Sequence, residues 1–260
     1  MGRAPLPRSI GELTSAEISQ KLKPTSILCL PLGAIEQHGA HLPLATDMVV
    51  AEELTGALIA RLGEELDLWR LPTVPIGLSR EHDWAPGTLS LSVQGFAGLL
   101  KEIAREFARA LPARNLAIVN GHGGNRGMLE NLLHELRSEF LLNACVLHPF
   151  DLAKVAGKPA APDVHGGLGE TSVMLALAPD LVRRDLIAGH GAPPRPDAVS
   201  ALIFDRGASF PWRTDDPRLA RGGVIGDPAA ASAELGRAMV ESFVEEARRV
   251  LVRLLENQEA

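Results

Sequence analysis

Apolar residues along this chain fall into two alternating patterns. One is a short continuous run, the mark of a strand buried on both faces. The other recurs every three to four positions, the mark of a helix with one buried face. Ser26–Leu32 is the first short run and stops at Gly33. Thr46 reads as an N-cap for a helix whose stripe is Val50, Leu54, Ala57, Leu58 and Leu62. Leu71–Ile76 reads as the next strand, with Pro72 and Pro75 assigning it to an edge or a strand end. A loop from Gly77 to Leu91 leads into a helical stripe at Phe96, Leu99, Leu100, Ile103, Phe107 and Leu111. Asn115–Val119 and Asn143–Leu147 are further strands, and Leu129, Leu132, Leu133, Leu136 and Phe140 mark the helix between them. Another helical segment begins with Glu170–Leu177. From Ala230, the stripe Leu235, Met239, Phe243, Ala247, Val250 and Leu254 predicts a long C-terminal helix.

Strand–helix alternation of this kind predicts an α/β fold, with a mostly parallel central sheet and helices on both faces. Two stretches, Ala153–Val164 and Ala192–Arg221, are rich in Pro, Gly, Asp and Arg. Apolar helices resume after each, so they read as excursions from a single domain spanning 1–260. Loops this long serve as lids, specificity elements or interface segments.

Composition narrows the class only slightly. The chain is 46% hydrophobic and 22% charged, with a net charge of −6 and no Lys/Arg-rich run to follow a phosphate backbone. A nucleic-acid partner is therefore not expected. Cys29 and Cys145 both fall in expected strands and read as core residues, which fits a reducing cytoplasm. No apolar run approaches the ~20 residues that span a bilayer, and no signal-peptide core follows the N-terminal residues. A cytoplasmic location with no membrane partner is the expectation.

Chemistry concentrates on the strand-to-helix loops. Glu36, His38, His41 and Asp47 follow the first strand within twelve residues. Carboxylate and imidazole are the ligands of zinc, manganese and iron. Glu36 and His38 leave one face of an extended chain, since they are two apart. Asp47, at a helix start, reads either as a cap or as a ligand. His41 reads as a loop-orienting residue. The second loop, Asn120–Asn125, surrounds His122 with three glycines that let backbone approach a ligand closely. The third, Asp163–Ser172, carries His165 and Glu170; a first-turn glutamate suits the helix dipole as well as a metal. Arg80–Thr88 adds His82 and Trp84 as candidate substrate-side groups, and Asn125 adds another.

One hypothesis joins these loops. Glu36, His38, Asp47, His122 and Glu170 supply three acids and two histidines to a metal pair ~3.5–4 Å apart that activates water against a carbonyl or amidine carbon. His165 is then the group that protonates the leaving nitrogen. Gly-x-Ser-x-Gly, P-loop and post-strand Gly-x-Gly-x-x-Gly motifs are all missing, which disfavours serine hydrolases, NTPases and standard dinucleotide enzymes.

Five segments carry a family resemblance: Pro31–Asp47, His82 with Pro86–Leu91, Asn120–Asn125, Asp163–Ser172 and Gly223–Pro228. Their sequence and order resemble the creatininase (creatinine amidohydrolase) family. The resemblance implies a three-layer α/β/α sandwich and a binuclear centre of Zn2+ or Mn2+, with Fe2+ as a further option. It also implies cytoplasmic homo-oligomers, commonly hexamers. Glu36, His38, Asp47 and His122 match the family's metal ligands by position, and His165 matches its catalytic histidine. Two departures stand out. Creatinine-hydrolysing members place a metal-binding glutamate where this chain has Gly124, and Glu170 is the expected substitute. They also surround the creatinine ring with tryptophans, whereas this chain has none between Trp84 and Trp212. The expected activity is metal-dependent hydrolysis of a non-peptide or cyclic amide C–N bond in a small molecule other than creatinine. The rivals are a hydrolase of a keto-cyclitol or keto-sugar and a non-catalytic metal or small-molecule binding protein.

Overall fold

In the computed structural model, residues 8–155, 162–189, 195–205 and 207–257 are described. Four parallel strands form the sheet: β1 (Ile27–Leu32), β2 (Leu68–Arg70), β3 (Asn115–Asn120) and β4 (Asn143–Leu147), in the order β2-β1-β3-β4. Side chains alternate across it, as a pleated strand requires. From β1, Ile27 and Cys29 enter one core while Leu28, Leu30 and Leu32 enter the other. From β3, Ala117 and Val119 face the first core; Leu116 and Ile118 face the second.

Helices cover both faces. After the short α1 (Ser15–Lys21), α2 (Thr46–Leu62) buries Val50, Leu54, Leu58 and Leu62 in the first core. The second core takes Phe96, Leu100 and Phe107 of α3 (Val93–Ala110) and Leu129, Leu132 and Leu136 of α4 (Arg126–Phe140). Beyond the single turn α5 (Pro149–Leu152), α6 (Leu168–Leu177) joins the first core. So does α8 (Ala233–Glu256), which follows the one-turn α7 (Pro196–Val199). The result is an α/β/α sandwich. None of the helices among the described residues is long and apolar enough to cross a membrane.

Three local expectations are corrected. The second strand lies at Leu68–Arg70, not Leu71–Ile76. Past Arg70, Pro72 and Pro75 offer no N–H to the ladder, and only Val74 bridges back to Leu32. Ala45, not Thr46, is the N-cap residue of α2; Thr46 is already helical and donates its hydroxyl to Pro43 O at 2.7 Å. The last helix starts at Ala233, where Ser232 accepts from the Leu235 N–H at 3.1 Å as its cap. Cys29 is a free, buried thiol and Cys145 a free, half-buried one, as expected of core residues.

The sheet matters to function through its carboxyl edge. β1 ends at Gly33 and β3 is followed by Gly121, and the first turn of α2 sits against both. A Cβ on Gly33 would lie 2.5 Å from Met48 Cα, and one on Gly121 would collide with Asp47 O. Two side-chain-free positions thus let a helix start touch two strand ends. Gly33→Ala is expected to push α2 away and to cost about 1–3 kcal/mol of stability, as overpacking does. Thermal denaturation without metal checks this, and an unchanged melting temperature would remove the packing role assigned to Gly33.

Candidate metal centre

Asp47 is carried to the sheet edge by this close contact. It is 1% exposed, and its carboxylate makes no cap to the helix N–H groups. One oxygen, Oδ1, lies 3.2 Å from His38 Nε2; the other, Oδ2, lies 3.2 Å from His122 Nδ1. His38 comes from the loop after β1 and His122 from the loop after β3. The cap reading of Asp47 is therefore replaced by one in which it faces two imidazoles at once.

Glu36 is fully buried, and neither carboxylate oxygen has a hydrogen-bond partner. Its Oε1 stands 3.3 Å from His82 Nε2, 3.3 Å from His122 Nδ1 and 3.6 Å from His165 Nδ1. Glu170, on the first turn of α6, brings Oε2 to 3.6 Å from His38 Nε2 while accepting the Gly166 N–H at 2.6 Å. Five of the expected ligands and His165 thus converge from three loops. Donor atoms of His38, Asp47 and Glu170 fall within 4.8 Å of one another, and so do those of Glu36, His38 and His165.

Backbone carbonyls orient the rings. A carbonyl can only accept, so the nitrogen facing it carries the proton. His38 Nδ1 donates to Glu36 O at 3.1 Å, His122 Nε2 to Leu78 O at 2.5 Å and His165 Nε2 to Gln37 O at 2.6 Å. In each ring the other nitrogen faces Glu36, Asp47 or Glu170. Metal-ligating histidines are tied in this way, the rear N–H held so that the front lone pair aims at the ion.

The electrostatics are those of a site built around positive charge. Burial raises Glu36 above the usual carboxylate range and takes Glu170 up to about 8. For His38 burial opposes protonation, but Asp47 beside it raises the ring to about 10. Burial likewise opposes His122, and Glu36 with Asp47 outweighs it. His82 falls to about 2 and His165 well below the imidazole range through burial and through neighbouring imidazoles. Without an ion, protons on His38 and His122 are the counter-charge for buried carboxylates. A divalent cation fits the orphaned oxygens of Glu36 and the paired oxygens of Asp47, and would displace those protons.

The remaining expectations divide. His82 and His165 stack at 4.0 Å between ring centroids, with His82 beside Glu36. Trp84 is 37% exposed, and its Nε1 donates to Thr214 Oγ1 at 3.0 Å, which puts it on the rim. Asn125, expected on the substrate side, is fully buried instead. Its Oδ1 accepts from Leu78 N at 2.9 Å and its Nδ2 donates to Asn120 Oδ1 at 3.1 Å, so it ties the loops together. His41 Nε2 meets Thr171 Oγ1 at 2.9 Å, pinning the first loop to α6.

Three residues had not been singled out. Glu81 brings Oε1 to 3.5 Å from His122 Nε2. Gln37 is a hub: its Oε1 accepts from Gly39 N at 3.0 Å, which turns Nε2 to donate to Gly223 O and His82 Nδ1, both at 2.9 Å. Thr214, from the Ala192–Arg221 excursion, is 1% exposed and lies 2.8 Å from His82 Nδ1. Gln37 was signalled by its place between Glu36 and His38, and Glu81 by its place beside His82. Thr214 was signalled only by its place in the Ala192–Arg221 excursion.

Known proteins share this sequence pattern and fold. The family model described as creatinine amidohydrolase (creatininase) matches residues 11–251. The mycofactocin precursor peptide peptidase of Mycobacterium tuberculosis is 34% identical over 250 residues, covering 94% of this chain and 92% of that protein. The creatinine amidohydrolase of Pseudomonas putida is 31% identical over 264 residues, covering 91% and 93%. A manganese form of creatininase superposes with a TM-score of 0.72 at 29% identity, over 94% of this chain and 97% of its own. With motifs, sandwich and sheet-edge site all in accord, the chain belongs to the creatininase family of amidohydrolases.

Proposed function

We propose that this protein is a two-metal amidohydrolase that cleaves a C–N bond of a small amide. The observation that carries the reading is Asp47, which turns one oxygen to His38 and the other to His122, with Glu170 on the first side and Glu36 on the second. A bridging carboxylate between two sets of nitrogen and oxygen donors is what a close metal pair requires. His38, Asp47 and Glu170 would hold one ion, and Glu36, Asp47 and His122 the other. Zn2+ and Mn2+ both suit this mixed donor set. When bound, such a pair lowers the pKa of water and polarises a carbonyl.

The chain's own groups handle the proton. His165 is neutral, and its Nε2–H is committed to Gln37 O, so the Nδ1 lone pair facing Glu36 is its only base. That nitrogen takes the proton of the attacking water and returns it to the leaving nitrogen, which otherwise departs as an unstable anion. Gln37 fixes His82 in the opposite sense: by donating to Nδ1, it leaves the proton on Nε2, the nitrogen 3.3 Å from Glu36 Oε1. Stacked on His165, His82 limits the swing of that ring.

Creatinine remains disfavoured, because the sequence has no tryptophan between Trp84 and Trp212 and Trp84 stands on the rim. The expected substrate is another small or cyclic amide. A second reading is a peptide amide in a short chain, favoured by the 34% identity to the mycofactocin precursor peptide peptidase. A panel of cyclic amides, formamides, short peptides and keto-cyclitols, tested with zinc- and manganese-loaded protein, separates these readings. Turnover confined to keto-cyclitols would overturn the amide assignment.

Dialysis against a strong chelator is expected to abolish hydrolysis, and Zn2+ or Mn2+ to restore it; activity that survives complete metal removal would contradict the mechanism. His165→Ala is expected to lower kcat by about 10²–10⁴-fold with metal content unchanged. Loss of an ion in that variant, measured by elemental analysis, would make His165 a ligand instead.

A further inference from the structure

We infer that Glu81 is a metal ligand on the His122 side of the pair, and that Gly124 is what admits it. The inference rests on the two-metal reading above and extends its ligand set. Glu36, Glu81 and His122 each offer a donor atom, and the three atoms lie within 4.8 Å of one another.

The surroundings of Glu81 call for a cation. Its side chain is 16% exposed, and its ion-pair neighbours are the imidazoles of His122 at 3.5 Å and His82 at 4.0 Å. Among the described residues no Lys or Arg pairs with it. A carboxylate largely withdrawn from water needs a compensating charge. Leu78 O already accepts the rear N–H of His122 at 2.5 Å, so Glu81, 3.5 Å from the same nitrogen, is not needed to orient that ring. The charges also balance: Glu36, Asp47, Glu81 and Glu170 carry four negative charges against the four of two divalent ions.

The chain invests in this placement. Glu81 sits in the one-turn helix Arg80–His82, and the Thr214 N–H reaches across from the long excursion to its carbonyl at 3.0 Å. On the facing loop, a Cβ at Gly124 would stand 2.6 Å from Glu81 Oε1 and 2.6 Å from Leu78 O, and closer still to His122 Nε2. Any side chain at 124 would therefore press on the His122 ring and on the Glu81 carboxylate together. Glycine there and glutamate at 81 form one device: the acid reaches the site from the loop after β2 through space that the loop after β3 leaves open.

Glu81→Gln keeps the shape and removes the charge. Manganese titration by calorimetry and electron paramagnetic resonance reads the result. The wild-type chain is expected to bind two ions with a spin-coupled signal. Glu81→Gln should weaken the second ion by 100-fold or more and leave an uncoupled, single-ion signal, with an unchanged melting temperature in chelator. Should that variant fold poorly, Glu81→Asp, which keeps the charge and shortens its reach, is expected to weaken the same ion. A second-ion Kd that moves by less than 100-fold, with coupling retained, overturns the inference and leaves the two-metal reading standing. A wild-type chain that takes up no second ion overturns both.

Discussion

Everything at the active edge of this protein depends on burying acids where neither water nor Lys or Arg can neutralise them. Glu36 is 0% exposed, and both of its oxygens lack a hydrogen-bond partner; Asp47 is 1% exposed. Such groups cost several kcal/mol when left alone. The structure answers with imidazoles, each held by a backbone carbonyl so that one nitrogen faces the acids. This is a stable arrangement only if protons or a cation supply the missing charge. The raised values of His38 and His122 are the proton version of that answer.

Packing makes the burial possible. The first turn of α2 touches the ends of β1 and β3 because Gly33 and Gly121 present no side chain to it. Asp47 is thereby delivered between the loops after β1 and β3, and α6 brings Glu170 from a third. Parallel strands place all these loops at one edge, where α/β enzymes gather their chemistry. The polar hub of Gln37 then joins the site to Gly223 and, through His82, to Thr214 of the long excursion. Thr214 of that excursion is thus part of the site.

Much of this was legible in the chain itself. Apolar runs and helical stripes are local, because burial on both faces or on one leaves a period of its own; β1, β3, β4, α3 and α4 were readable for that reason. The second strand was misplaced because its apolar residues continue past Arg70 into proline-broken chain. The acids and histidines of the three loops were also readable, since the first two follow a strand and the third is a glycine-rich run leading into a helix.

The tertiary structure decided how those residues are used. Asp47 is equally suited by sequence to a cap or a ligand, and only the approach of His38 and His122 separates the two. Asn125 looked available and proves to be a buried tie between loops, because its partners Leu78 and Asn120 lie on different segments. Thr214 and Glu81 act across more than forty residues of chain, a distance over which no periodicity carries information. Sequence alone determined the fold class through its hydrophobic period, the family through its motifs, and most of the metal-capable acids and histidines, Glu81 excepted, because period, motif and residue chemistry are local properties. Which oxygen faces which nitrogen was left to tertiary packing, because that depends on backbone contacts between segments remote in the chain.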